Sequence, residues 1–148
     1  MEKLLLNDTV APFGVENSGK DTKGGITYLK VILRPDDKNH EFIKSRVEYF
    51  EDVESRKMGK YEIVSSIRPL KDGTDLLRLR IKNYKGRRLV KMLFAPTCDK
   101  DDYLRSVDDL YLYSKINVKF GVGDGYIFQA DGTSKFGLNL YVDEVTIM

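Results

Sequence analysis

Apolar and polar residues alternate with a period of two through most of this chain, the spacing of half-buried β-strands. In "ITYLKVILR" (26–34), Thr27, Leu29, Val31 and Leu33 point one way, and Tyr28, Lys30, Ile32 and Arg34 the other. This predicts a strand that Pro35 ends. "YEIVSSIR" (61–68) predicts another, stopped by Pro69 and the turn "KDGTD". In "YLYSKINVKFGV" (111–122), Leu112, Ser114, Ile116, Val118 and Phe120 share one side; Tyr111, Tyr113, Lys115, Asn117 and Lys119 share the other. "YIFQA" and "KFGLNLYVDEVTIM" flank Asp131-Gly132, a strong two-residue hairpin signal. Residues 39–57 differ: Ile43, Val47 and Phe50 recur at helical spacing, with Phe42 and Val53 nearby. They predict a helix, although strand alternation fits pieces of the segment.

The segment "LLRLRIKNYKGRRLVK" (76–91) predicts a hairpin with Lys85-Gly86 at its tip. Pairing outward from Tyr84 and Arg87 sets Leu77 opposite Phe94, Leu79 opposite Met92 and Ile81 opposite Val90, all on one face. Arg78, Arg80, Lys82, Tyr84, Arg87 and Lys91 then occupy the other face, with Leu89 and Leu93. Residues 13–25, rich in Gly, Ser, Asn and Asp, read as a mobile loop. The acidic stretch 99–109 reads as a short helix, and "GVGDG" (121–125) as a turn. Six or seven strands with one or two short helices imply a single, mostly β domain over 1–148, a small barrel or sandwich.

Composition narrows the class. A chain of 148 residues can bury a real core, and 32% charged with 41% hydrophobic residues is an ordinary globular balance. No apolar run is long enough to span a bilayer, and "MEKLLLNDTV" lacks the shape of a secretory signal, so a cytoplasmic protein with no membrane partner is expected. The single cysteine, Cys98, agrees with a reducing compartment.

Charge changes the picture more. Arg78, Arg80, Lys82, Lys85, Arg87, Arg88 and Lys91 supply seven cations between Leu76 and Cys98, where no carboxylate occurs. Against a net charge of +2, those seven leave −5 on the remainder. Such concentration is the footprint expected for a polyanion ligand.

Catalytic chemistry finds little support. "GVENSGK" (14–20) matches a phosphate-binding loop as far as the lysine, but Asp21 stands where a Ser or Thr should hold magnesium, and no amphipathic helix follows. His40 is the only histidine, expected to be exposed, and Cys98 is expected to be a small buried thiol. Asp99, Asp101 and Asp102 lack the glycine and distant glutamate of a calcium loop; helix capping explains them more simply. No enzyme, cofactor or metal is expected.

A nucleic-acid site remains. Three predicted strands back an apolar face with one mixing tyrosine and cations: Tyr28, Lys30 and Arg34; Arg78, Arg80, Lys82 and Tyr84; Tyr111, Tyr113, Lys115 and Lys119. Arg87 and Lys91 extend the second set, and Arg88 joins it from the apolar phase at the hairpin tip. Cations neutralise phosphates, and rings offer stacking platforms to unpaired bases, which a duplex does not expose. Tyrosine is common in strands, and Lys or Arg often covers a solvent face. Recurrence on three strands, together with the acid-free hairpin, favours the nucleic-acid reading. The alternatives are an RNA-binding regulator and a viral structural or assembly β-sandwich whose basic face meets an acidic partner.

The basic hairpin "LRLRIKNYKGRRLVKMLF", with "SKINVKFGV" and "YIFQADGTSKFGLNLYVDEVTIM", resembles the single-stranded DNA-binding proteins of OB fold encoded by bacteriophages, in which a Gly-Leu-x-Leu-type strand ends the barrel. The resemblance covers about half the chain. It implies a small five-stranded antiparallel barrel that coats DNA exposed in replication or recombination, in the host cytoplasm. It also implies base platforms at Tyr28, Tyr84, Tyr111 and Tyr113, replication or recombination proteins as partners, and leaves a homo-oligomer open. Many such proteins end in a flexible acidic tail. Here "VDEVTIM" places Val142, Val145 and Ile147 in strand phase, so recruitment through a C-terminal tail is not expected.

Overall fold

The buried side of each alternating segment forms one wall of a barrel. The computed structural model describes residues 2–18, 26–85, 87–98, 107–113 and 115–148. In chain order the elements are β1 (Lys3–Thr9), β2 (Val15–Ser18), β3 (Ile26–Leu33), α1 (Lys38–Met58), β4 (Glu62–Ile63), β5 (Ile67–Pro69) and β6 (Asp75–Ile81). There follow β7 (Asn83–Tyr84), β8 (Arg87–Arg88), β9 (Lys91–Phe94), a 3-10 helix (Val107–Leu112), β10 (Ile116–Ala130) and β11 (Thr133–Ile147).

Five strands make the ring. β1 runs antiparallel to β10, β10 to β11, and β6 to β3. β11 meets β6 in parallel at Tyr141 and Arg80. β3 returns to the end of β1, where the Ile32 amide donates to the Val10 carbonyl (3.2 Å) and the Thr9 hydroxyl donates to the Ile32 carbonyl (2.6 Å). β2 extends the sheet beyond β3, β5 pairs with β6, and β4 and β9 each add a short parallel pair to β11. Among the described residues the architecture is mostly β with one α-helix, an OB-like barrel as the sequence led us to expect.

Leu6, Leu29, Val31, Leu77, Leu79, Val118, Phe120, Leu140 and Val145 fill the interior and are fully or almost fully buried. Each such side chain contributes about 1.5–3 kcal/mol on leaving water. α1 turns Ile43 and Val47 onto this core. Asp37 caps its start by accepting the amides of Asn39 and His40, and Gly59, at φ 134°, closes its end. Among the described residues no helix is long and apolar enough to cross a membrane.

Several sequence expectations change. The hairpin forms only at its tip, with Asn83 opposite Arg88 and Tyr84 opposite Arg87. Its outer rungs do not: Leu77 pairs with Val31 and Ile67, Leu79 with Leu29, and Ile81 with Thr27, while Met92 and Phe94 pair with Val145 and Ile147. A long-range partner of matching alternation on each side outcompetes the local ladder, which a two-residue turn alone cannot enforce. The predicted strand 61–68 divides into β4 and the start of β5 at Ser65 and Ser66, where Glu51 takes the Ser65 hydroxyl and the Ser66 amide while the Ser66 carbonyl still accepts the Arg78 amide of β6. Tyr111 and Leu112 belong to the 3-10 helix, and the strand begins only at Ile116. "GVGDG" lies inside β10, at an irregularity between Val122 and Gly125. Val15–Ser18 form β2 within the predicted loop, whose residues 19–25 lie outside the described set, as do Asp99, Asp101 and Asp102.

His40 is fully buried, not exposed. Its Nδ1 accepts the Arg34 amide (2.9 Å) and its Nε2 donates to the Asn7 carbonyl (2.6 Å), tying α1 to β1. Cys98 is half-buried, its thiol donating to the Ile147 carbonyl.

Glu51 is buried on α1 and accepts hydrogen bonds from the Ser65 hydroxyl (2.7 Å) and the Ser66 amide (2.8 Å). Burial raises its pKa above the ordinary 4.5, Glu48 adds to the rise, and the two hydrogen bonds and Arg78 oppose it. A carboxyl raised in the folded state holds its proton longer there than in the unfolded chain, so its contribution to stability declines as pH rises from about 4.5 through the folded pKa. Urea unfolding of wild type and Glu51→Gln across pH 4–8 should show the wild type losing stability relative to the variant over that window. Parallel curves would refute the assignment.

Candidate nucleic-acid interface

Outward positions on neighbouring strands align into a transverse row. Glu16 on β2 pairs with Tyr28 on β3, Tyr28 with Arg80 on β6, and Arg80 with Tyr141 on β11. The next outward rung sets Lys30 beside Arg78. Inward neighbours Leu29, Leu79 and Leu140 are buried, so the pleat obliges these residues to face out. The Arg78 guanidinium lies over the Tyr28 ring at 5.0 Å, and Arg80 and Lys82 lie over Tyr141 at 5.8 and 4.6 Å. Lys85 stands over the exposed Tyr84 ring at 5.3 Å. Cation–π contact keeps positive charge at the surface beside the rings without neutralising it, unlike a carboxylate partner. Arg80 also donates to the Asn139 side chain at 3.2 Å.

A groove of about 320 Å³ runs between the β7–β8 ribbon and β11, lined by Arg80, Lys82, Tyr84 and Tyr141 over Ile26, Ile81 and Leu89. Two rings, apolar side chains and cations lining one groove suit a stacked base with its phosphates nearby.

Tyr141 was not among the residues singled out from the sequence. Its signal was present in "FGLNLYV", where Phe136, Leu138, Leu140 and Val142 alternate with Gly137, Asn139 and Tyr141; the segment read as a closing strand without regard to its outward side. Tyr126 and Phe128, at 5.6 Å between rings, continue the aromatic surface along β10.

Gly123, within "GVGDG", and Gly137, on β11, make room for this surface. A Cβ on Gly123 would meet the Tyr141 ring at 2.5 Å and the Asn139 carbonyl at 3.1 Å; one on Gly137 would meet the Tyr126 ring at 2.5 Å. Glycine inside a strand marks such close approach. Gly123→Ala should therefore displace Tyr141, cost about 1–3 kcal/mol by overpacking, and weaken ligand binding beyond that loss of stability. Thermal melts with binding measured well below the midpoint check both parts.

The remaining sequence candidates are scattered. Lys30 is ion-paired to Glu16 at 2.8 Å. Arg34 pairs with Asp37 at the start of α1, six residues and roughly 20 Å along β3 from Tyr28. Arg87 is exposed on the ribbon, whereas Arg88 folds back into a polar network beneath it. Lys91 lies across β11 from Lys119, with Glu144 between them, on another flank of the barrel. Tyr111 is exposed beside Gly14, Tyr113 is half-buried against the core, and Lys115 pairs with Asp8. The three strand sets thus yield one assembled patch, from β3 and β6, completed by Tyr141. Among the described residues no His, Cys, Asp and Glu cluster could hold a metal ion.

No family model matches the chain, and no curated protein matches it. Solved structures do. The crystal structure of gp2.5, a single-stranded DNA-binding protein encoded by bacteriophage T7, superposes with a TM-score of 0.60 at 9% identity, over 99% of this chain and 85% of that one. A C-terminally truncated single-stranded DNA-binding protein from bacteriophage Enc34 does so with a TM-score of 0.55 at 12% identity, over 98% and 83%. The resemblance noted in the sequence therefore holds as a likeness of fold over almost the whole chain: an OB-like barrel of the kind these two phage proteins carry.

Proposed function

We propose that this protein binds single-stranded DNA, tolerantly of sequence and without catalysis, through the outward face of β3, β6 and β11. The observation that carries the reading is the row Tyr28–Arg80–Tyr141, in which rings and cations alternate across three adjacent strands. Phosphates would follow Arg78, Arg80, Lys82 and Arg87, with Lys30 released from Glu16 as a further contact. Bases would stack on Tyr28, Tyr84 and Tyr141. The likeness of fold to two proteins named for single-stranded DNA binding supports the same ligand. Lys91, Lys119, Lys115, Arg34, Tyr111 and Tyr113 stand outside the patch, and a longer strand would reach them only by leaving it. DNA exposed during replication or recombination, with the proteins that process it, is the setting such an activity fits.

The test is titration of a labelled, unstructured oligonucleotide of about 30 nucleotides, as single-stranded DNA, duplex and RNA, across a salt series. Tight binding to the single strand is expected, weakening with salt by about 0.7 logarithmic units per unit of log salt for each phosphate contacted. Equal affinity for duplex would refute stacking as the basis of recognition. Preference for RNA would change the ligand and keep the surface. Absence of binding at low salt would leave the basic face to a protein partner.

A further inference from the structure

Arg88 belongs to the acid-free stretch that first suggested a phosphate site, but its donors are already engaged. Nη1 donates to the Thr27 hydroxyl and the Asn83 side-chain Oδ1, both at 3.0 Å; Nη2 donates to the Asn17 Oδ1 at 3.2 Å, and Nε to Asp108 at 3.4 Å. Four of the five N–H groups of the guanidinium are thereby engaged, so a two-pronged grip on phosphate is not available. The partners lie on β2, β3, β7 and the 3-10 helix. Thr27, itself buried, donates to Asn17 (3.0 Å) and accepts from Asn83 (2.6 Å) as well as from Arg88, which exhausts its hydroxyl.

We propose that Arg88 is a positioning residue, a latch that fixes the β7–β8 ribbon against the barrel so that Tyr84 faces Tyr141 across the binding groove. The ribbon needs such a device. It has two rungs, pairs with no other strand, and its Tyr84, Lys85 and Arg87 are exposed. A two-stranded ribbon alone is marginal in water. Apart from the Leu89 amide to the Lys82 carbonyl (2.8 Å), which closes the ribbon on itself, Asn83 (2.6 Å) and Arg88 (3.0 Å) both tie it to the Thr27 hydroxyl on β3, and it is the Arg88 guanidinium that carries the bonds on to β2 and the 3-10 helix. Holding a ring in place beforehand removes an ordering cost from binding. The inference rests on the proposed single-strand function and makes a claim that function does not: the Arg88 charge does its work inside the protein.

The experiment measures single-stranded DNA affinity and its salt slope for Arg88→Met, Arg88→Lys, Tyr84→Ala and the double variant Arg88→Met/Tyr84→Ala, with folding checked by thermal melts. A latch predicts that Arg88→Met loses about as much as Tyr84→Ala, roughly 5- to 150-fold, with no change in salt slope. Lysine should not rescue, since it supplies charge without the planar fork. In the Tyr84→Ala background, Arg88→Met should add less than about 2-fold. A phosphate contact predicts the reverse: a slope lower by about 0.7, near-complete rescue by lysine, and additive losses. If Arg88→Met melts below the working temperature, Asp108→Asn decides. Loosening the latch should weaken binding, whereas releasing a phosphate ligand from a competing carboxylate should strengthen it. Wild-type protein that binds no single strand overturns the function and the latch together; binding with additive losses overturns the latch alone.

Discussion

Replacing Phe136 by Ala is expected to destabilise the fold by about 3–5 kcal/mol, the largest effect of any single change considered. The ring is fully buried at a junction of three elements. It covers Gly125 so closely that a Cβ there would lie 2.4 Å from it, with the Met58 sulfur at the end of α1 also adjacent. Phe136 pairs with Ile127 on β10 and Ile63 on β4, and its carbonyl accepts the Val64 amide at 2.8 Å. Truncation would leave a hole over Gly125, which has no side chain to fill it. A single domain commonly has only 5–15 kcal/mol in hand, so the urea midpoint should fall steeply while the m-value stays constant. A loss below about 1 kcal/mol would mean that the corner between α1, β4 and the β10–β11 hairpin collapses readily.

The same region shows why some elements were legible in the sequence and others were not. Asp131-Gly132 specified its hairpin because local chemistry suffices: φ values of 53° and 76° are those a type I′ turn requires, and Gly and Asp reach them cheaply. The helix was legible through the spacing of Ile43 and Val47, without use of the Asp37 cap that begins it. At Lys85 the turn was again right, its φ being 49°. The register beyond it was not, because β6 and β9 both alternate correctly and so fit several partners equally well. Alternation fixes which face is buried but not which strand lies beside it. Only the closed ring decides that β6 lies between β3 and β11 and that β9 takes the end of β11.

The site follows the same logic. Tyr28, Lys30, Arg78 and Arg80 were recognisable because each belongs to a strand whose outward side is locally evident, and β3 and β6 do adjoin. Tyr141 was equally outward, but its membership depends on a parallel contact with Arg80 across sixty-odd positions of sequence. Tyr111 and Tyr113 lie away from the row for a different reason. A 3-10 helix occupies the first part of a segment that alternates well, so the two rings never share a strand face with Lys119. Arg88 had the right charge in the right stretch; the hairpin register already set it on the apolar phase, and the side-chain network shows where its donors go.

Tyr141→Ala is expected to weaken single-stranded DNA binding by about 1–3 kcal/mol, or roughly 5- to 150-fold, with an unchanged salt slope. Arg80→Gln should also weaken binding, but with a slope smaller by about 0.7. The contrast is expected because the two residues share one register position but would do different physical work, the ring offering a face to a base and the guanidinium a charge to a phosphate. Their contact at 5.8 Å makes the double variant non-additive, since each holds the other in place. Tyr111→Ala is the matched control, an exposed ring beside Gly14 on the 3-10 helix and outside the row, expected to change affinity less than about 3-fold. Equal losses for Tyr111→Ala and Tyr141→Ala would extend the bound strand across β2 to the 3-10 helix. A Tyr141→Ala variant that binds like wild type would remove stacking at β11 and leave the cations of β6 as the whole of the site.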